Sequence, residues 1–290
     1  MAVSDGTVAT TGRDARDVAC VGDNCVDVLR SRGDVEVAGG NALNVAVNLA
    51  AMSRRVGYFG AVGGDRRGDL ILASARGAGV DVAGVDRRDG PTGVTIVEHG
   101  PGGERIFVEE DYGVAAEHRL DGITAALLTE YRWIHLARQP DVDLLSARRG
   151  GSTAPRISYD AGDHTGSEEL ARIAPSVDVL FLSTVGSELD AYRLAEELQR
   201  TCGGVVVVTM GAKGAVALDP DGRFLTQAAV PVAEVVDTLG AGDAFIAGFI
   251  DAQLDGSSLG GALLAATAAG AEAVSGSRPS RPPTIVEASP

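Results

Sequence analysis

A chain of 290 residues has room for one large α/β domain, or for one domain with a small appendage. Apolar residues make up 45% and charged residues 22%, an ordinary globular balance, while the 39 glycines are nearly twice the usual share of about 7%. The formal net charge of −15 argues against nucleic acid or an anionic membrane as the main partner.

In chain order, residues 1–16 are polar and lack the apolar core of a signal peptide, so they read as a disordered leader of a cytoplasmic protein. Residues 17–22 read as a first strand, 41–55 as a long helix and 56–61 as a returning strand. Gly63-Gly64-Asp65 turns into a helix ending near Arg76, and residues 80–85 are extended. Further strands are expected at 132–136, 156–160, 177–182 and 205–209, and a β-like run at 230–236 precedes a helix that includes 244–250. The last helix, 259–275, is glycine-interrupted and too short to span a bilayer. Alternating strands and helices imply a mostly parallel sheet covered on both faces. Cys20, Cys25 and Cys202 form no CxxC, and His99, His118, His135 and His164 are scattered, so neither a disulfide framework nor a zinc site is indicated.

Two stretches leave this rhythm. Asp34-Val35-Glu36-Val37 alternates polar and apolar and is too short for a core strand. Residues 92–97 and 104–109 are β-rich arms around Gly100-Pro101-Gly102-Gly103, a hairpin signal. Such arms read either as a decorative hairpin or as a small sheet over a cleft. The glycine-rich Ala38-Gly39-Gly40-Asn41 leading out of the first stretch favours the lid.

The chemistry gathers at Asp237-Thr238-Leu239-Gly240-Ala241-Gly242-Asp243-Ala244-Phe245. Where an extended run hands over to a helix, the first N–H groups have no intrahelical partner and the dipole favours an anion. Small residues let a phosphate approach those groups. Asp243 beside them reads as a base or, more plainly, as a helix cap. A P-loop is excluded, because the chain's one lysine, Lys213, stands between Ala212 and Gly214. A dinucleotide fingerprint fails as well, since Phe245 stands where a third glycine belongs.

That stretch resembles the C-terminal signature of the ribokinase/PfkB family of carbohydrate kinases, and Gly39-Gly40-Asn41-Ala42-Leu43-Asn44-Val45-Ala46 resembles the family's N-terminal signature. The likeness runs from about Val18 to Ala273. It implies a ribokinase-like three-layer α-β-α domain over residues 17–278, a β lid at about 33–38 and 91–112, and a tail at 279–290. It implies transfer of the γ-phosphate of ATP, with Mg²⁺, to a sugar hydroxyl. Asp243 would be the base and Gly240, Ala241 and Gly242 the backbone anion hole. Asp27, Gly39, Gly40 and Asn44 would hold the sugar, and Thr209, Gly211, Lys213 and Gly214 the nucleotide. Glu188 would act on the metal indirectly, although Val185 replaces the asparagine of the usual Asn-x-x-Glu element, and Asp237 and Thr238 would belong to a K⁺ loop. Taken singly, an aspartate such as Asp27 is more often a solvated turn residue and an asparagine such as Asn44 a helix-surface residue, and Lys213 is at least as readily an exposed turn lysine.

Gly22-Asp23-Asn24-Cys25-Val26-Asp27 and Phe181-Leu182-Ser183 resemble the fructoselysine 6-kinase branch. Arg138, after the strand at 132–136, and Arg105, in the hairpin, are candidates to grip a carboxylate or phosphate. A zwitterionic or anionic substrate such as a glycated amino acid follows. The alternatives are ribokinase- or nucleoside-kinase-like activity, or a non-catalytic sugar- or nucleotide-binding regulator. The edges of the lid sheet offer a surface for a homodimer.

Overall fold

The computed structural model describes residues 16–30, 33–99, 105–137, 154–277 and 285–286. The expected leader lies outside them, except that Arg16 opens the first strand. The main sheet has eight strands. In spatial order they are β14 (Phe224–Gln227), β13 (Ala215–Leu218), β12 (Val205–Thr209), β11 (Val179–Ser183), β10 (Arg156–Asp160), β9 (Tyr131–Ala137), β1 (Arg16–Gly22) and β4 (Val56–Phe59). The pairings from β12 to β4 are parallel, and those of β12 with β13 and of β13 with β14 are antiparallel.

Alternation along the strands divides the core in two. Val18, Cys20, Trp133, Phe181 and Val207 face the helices α1 (Asn41–Ala51), α2 (Arg66–Gly77), α6 (Ala241–Leu254) and α7 (Leu259–Val274). Ala19, Val21, Ile134, Leu180 and Val206 face the other way, toward α4 (Glu168–Ile173), α5 (Glu188–Cys202) and the end of α3 (Gly122–Leu128). A parallel sheet buried on both faces needs near-continuous apolar strands, which is what VVVV of β12 and VLFL of β11 supply. The three-layer α-β-α fold expected from the sequence is the fold found.

A second sheet sits beside the first, in the order β15 (Ile285–Val286), β3 (Val35–Gly39), β2 (Cys25–Leu29), β7 (Thr92–His99) and β8 (Arg105–Gly113). The short strands β5 (Ala61–Gly63) and β6 (Asp86–Arg88) pair separately. The second sheet is fastened to the N-terminus of α2. Buried Glu36 of β3 takes Arg66 and Arg67, the latter at 2.9 Å. Asp65 caps α2 through Gly68 N–H at 2.8 Å and receives the Thr92 hydroxyl at 2.6 Å and its N–H at 3.0 Å. Burial works to raise the Asp65 pKa, but these donors outweigh it and hold the carboxyl below its ordinary value.

Four expectations change. Residues 230–236 form no strand: Pro231 brings no N–H, Val235 and Val236 are exposed, and the Val236 N–H bonds to the Val274 carbonyl at the end of α7. The first helix stops at Ala51, because Ser53 takes a φ of 67°. The segment around Val35, expected to be too short for a core strand, forms β3, which lies inside the second sheet between β15 and β2. Within the expected tail, Ile285–Val286 pairs with Val37 and Glu36.

Candidate functional site

The carboxyl ends of β1, β10, β11 and β12 open into one cleft of about 460 Å³, where an open α/β sheet places its ligands. Its lining includes Asp23, Asp160, Ser183 and Thr209 from those ends, and Cys25, Asp27, Thr95, Glu110 and Tyr112 from the second sheet. That sheet therefore forms a wall over the cleft, which is the position of a lid.

The floor is built by a chain reversal after β1. Asp23 accepts the N–H groups of Asn41 and Ala42 at 3.0 and 3.2 Å, capping α1 from outside its own segment. Gly40 holds a φ of 109°, and a Cβ there would stand 2.4 Å from the Asn24 Cα, so only glycine fits. Asn24, fully buried, donates to the Tyr58 hydroxyl at 2.9 Å and the Ala61 carbonyl at 2.8 Å. Asp27 is buried on β2, and the Cys25 thiol donates to its Oδ1 at 3.3 Å. Burial, then the neighbouring Asp27 carboxylate, push that thiol well above its ordinary pKa and keep it neutral. Gly39 is absent from the cleft lining. A Cβ on it would fall 2.5 Å from Asp27 Oδ2, so its contribution is the space that carboxylate occupies.

The two glycine-rich signatures meet across 199 residues. Asn44 Nδ2, on α1, donates to Asp243 Oδ2, on α6, at 2.9 Å, with both residues buried. Gly240 lies in the left-handed region with φ 79°, which lets the backbone turn directly into α6. Asp243 stands in the first turn, among the N–H groups a helix leaves without intrahelical partners. Gly240, Gly242 and Asp243 line the cleft and Ala241 does not. A Cβ on Gly242 would meet nothing within 4 Å. The site thus brings carboxylates, an amide and an anion-favouring helix end to one wall.

The remaining expected residues are more dispersed. Thr209 lines the cleft, while Gly211, Lys213 and Gly214 form the tight turn between β12 and β13 just outside it. Gly214 has a φ of 99°, and only glycine fits there because a Cβ would be 2.1 Å from the Gln227 carbonyl. Lys213 Nζ donates to the Gly186 carbonyl at 3.0 Å. Glu188 opens α5 and accepts from Tyr192 at 3.3 Å, and Val185 beside it is fully exposed. Asp237 Oδ1 accepts the Leu239 N–H at 2.8 Å, and Thr238 is exposed. Arg138 and the side chain of Arg105 lie outside the described residues. Sequence reading passed over Asn24, Thr95, Glu110 and Asp163, all in the lining. Thr95 and Glu110 carried a signal as polar residues of the expected lid, and Asn24 as part of the Gly22–Asp27 stretch; Asp163 is a single polar residue with no pattern around it.

The pfkB family carbohydrate kinase profile matches residues 7–285. The chain belongs to this family. As a pfkB family member it is a carbohydrate kinase, and its relatives carry several substrate names. It is 33% identical over 261 residues to a fructoselysine 6-kinase of Shigella flexneri, covering 89% of this chain and 97% of that protein. It is 31% identical over 255 residues to an ATP-dependent ribose-1-phosphate kinase of Halopiger xanaduensis, covering 83% and 81%. Among solved structures, adenosine kinase from Sinorhizobium meliloti superposes with a TM-score of 0.77 at 22% identity, covering 93% and 97%, a likeness of fold.

Proposed function

We propose that this pfkB family kinase transfers the γ-phosphate of ATP to a hydroxyl of an amine-bearing sugar, a fructosamine of the fructoselysine kind, with Asp243 as the base. The observation that carries the reading is the 2.9 Å bond from Asn44 to Asp243, which sets a carboxylate at a helix N-terminus and on the same cleft as Asp27. In the step, the sugar oxygen forms a bond to the γ-phosphorus. The bond from that phosphorus to the β–γ bridging oxygen breaks with its electron pair on ADP, and the hydroxyl proton passes to Asp243. Charge is spread over the transferred group's oxygens, so positioning and N–H donors do most of the work. Gly240, Ala241 and Gly242 supply the backbone of that anion site; Asp27, Gly40 and Asn44 take the sugar, with Gly39 as spacer.

Two observations support the amine. The Shigella relative bears the name of a fructosamine substrate. The described lining also carries Asp27, Glu110, Asp160, Asp163 and Asp243 and no lysine or arginine, which favours a protonated amine and disfavours a sugar phosphate. Arg138 remains a candidate for the carboxylate of a glycated amino acid.

Thr209, Gly211, Lys213 and Gly214 are assigned to the nucleotide side. Among the described residues no group of three metal-ligating side chains exists. That donor set fits Mg²⁺ carried mainly by ATP phosphates and water, with Glu188 acting at a distance. Bound there, the ion screens the phosphate charge. Asp237 and Thr238 are assigned to a K⁺ loop. Pairing of two copies through the lid is supported by Ile106 and Val108, which are 46% and 48% exposed on the edge strand β8. No described helix is long and apolar enough to cross a membrane.

The test is ADP release across fructoselysine, ribose, fructose, nucleosides and ribose 1-phosphate. Fructoselysine is expected to turn over best. A clear preference for ribose or a nucleoside would overturn the amine, and no ADP from any acceptor would favour the regulator suggested by Val185. Asp243→Asn is expected to retain ATP binding and lose most turnover.

A further inference from the structure

The second sheet presents a row of polar side chains to the cleft. Asp27 on β2 pairs in register with Thr95 on β7, and Thr95 with Glu110 on β8. All three line the cleft, so they stand side by side across three strands on one face. Neighbouring strands lie about 4.8 Å apart, which sets the backbones of the two acidic residues about 10 Å apart with a neutral hydroxyl between them. Glu110 is exposed, and among the described residues no donor engages its carboxylate. Strand alternation turns Glu109 to the opposite face, and it falls outside the lining. Asn24, fully buried in the same lining, gives an independent sign of what the cleft takes. Its Nδ2 donates to the Ala61 carbonyl at 2.8 Å, and a carbonyl only accepts, so the orientation of the amide is fixed. Its Oδ1 is therefore an acceptor, and among the described residues it has no hydrogen-bond partner. Carboxylates and an orphaned amide oxygen on one wall call for a ligand rich in donors.

We infer that Glu110 is a specificity-determining residue for a second ammonium, carried at the far end of the acceptor and separate from the amine bonded to its sugar. The inference rests on the amine-bearing acceptor proposed above, and it says which cation of that acceptor the lid strand reads. An amine bonded to the sugar stays beside the ring hydroxyls assigned to Asp27. A carboxylate two strands away reaches past that amine to a group held out on an alkyl chain. Two sources supply such a group: the amino-acid end of a glycated lysine and the free end of a glycated diamine. They share the distal ammonium, and the diamine lacks the carboxylate. The described lining offers an ammonium several carboxylates and offers an acid no lysine or arginine, so the ammonium is the feature recognised. The competing account is a general pull of the acidic cleft on any cation, which would not distinguish Glu110 from Glu109.

The experiment compares the fructosyl adducts of lysine, cadaverine and n-pentylamine as acceptors, with fructose as a neutral control. Every adduct keeps the amine bonded to the sugar; those of lysine and cadaverine add a distal ammonium, and that of lysine a carboxylate as well. KM, kcat and melting temperature are measured for the full-length wild type, Glu110→Gln and Glu109→Gln. An ion pair at an exposed site predicts a KM about 3- to 5-fold lower for the lysine and cadaverine adducts than for the pentylamine adduct. Glu110→Gln is expected to erase that difference and leave the pentylamine adduct and fructose unchanged, and Glu109→Gln to change none of them. Equal KM for the cadaverine and pentylamine adducts in the wild type would overturn the inference. It would do so even if the lysine adduct were preferred, since the carboxylate would then be what is read. Equal losses in the two variants would overturn it in favour of a general field. Should Glu110→Gln fail to fold, the wild-type comparison of cadaverine with pentylamine decides. Phosphorylation of fructose or ribose but of no adduct would instead remove the amine-bearing acceptor itself, and this inference with it.

Discussion

Replacing Gly242 by alanine separates the stability of this protein from its chemistry. Gly242 lies in the first turn of α6, is exposed on the cleft, and a Cβ built on it meets no atom within 4 Å. Nothing in the folded protein resists the methyl group. Alanine is favoured over glycine by up to about 1 kcal/mol inside a helix, and rather less in a first turn. For a chain of this length that corresponds to a melting temperature unchanged or raised by about 2 °C. The same methyl group projects into the space where the transferred phosphate is proposed to meet the helix N–H groups. Loss of one such donor typically lowers turnover by about 100- to 1,000-fold. Differential scanning fluorimetry and coupled ADP release on one preparation provide both readings. Full activity with a raised melting temperature would refute the placement of the phosphate at this turn.

Three further outcomes follow from the geometry. Gly39→Ala would place a Cβ 2.5 Å from Asp27 Oδ2, so the carboxylate must move, and sugar KM is expected to rise about 10-fold or more with ATP affinity unchanged. Glu110→Gln should raise KM for fructoselysine by several-fold but leave a neutral sugar unaffected, and equal effects on both would remove Glu110 from amine recognition. His135 is fully buried against Ser158, and burial holds its pKa at about 3 instead of 6.5. Between those values the unfolded chain binds a proton that the folded one refuses, so stability is intact above pH 6.5 and falls as pH drops below it. At pH 5 the loss is about 2 kcal/mol, measurable by urea denaturation, and His135→Phe should flatten the dependence if it folds.

The main sheet was legible because parallel strands covered on both faces are largely apolar, and β12 begins and ends where its run of valines does. The run at 230–236 misled for the complementary reason: valines favour a strand only where a neighbour supplies a ladder, and here the chain leans on α7 instead. Strand β2 was missed because it follows β1 after only Asp23 and Asn24, and no local pattern announces a change of sheet. Gly39 and Gly40 were read together as sugar contacts. Only coordinates separate them, one as space for a carboxylate and the other as a turn no other residue can make. The acidic lining was legible only in part: Asp27 and Asp243 were expected, whereas Glu110 and the Asp160–Asp163 loop lie about 50 residues apart in sequence and approach only in the fold.

The bond between Asn44 and Asp243 also has a meaning in time. During synthesis the lid strands β2 and β3 and helix α1 emerge long before α6, and the 199 residues between the two partners take about 10 to 40 s to translate at about 5 to 20 residues per second. Through that interval the nascent chain holds the proposed acceptor side of the site without the proposed phosphate side. The wall proposed to bind sugar and the turn proposed to handle phosphate come together only once α6 has been made. A release or arrest before α6 therefore leaves a fragment without the residue proposed to deprotonate an acceptor.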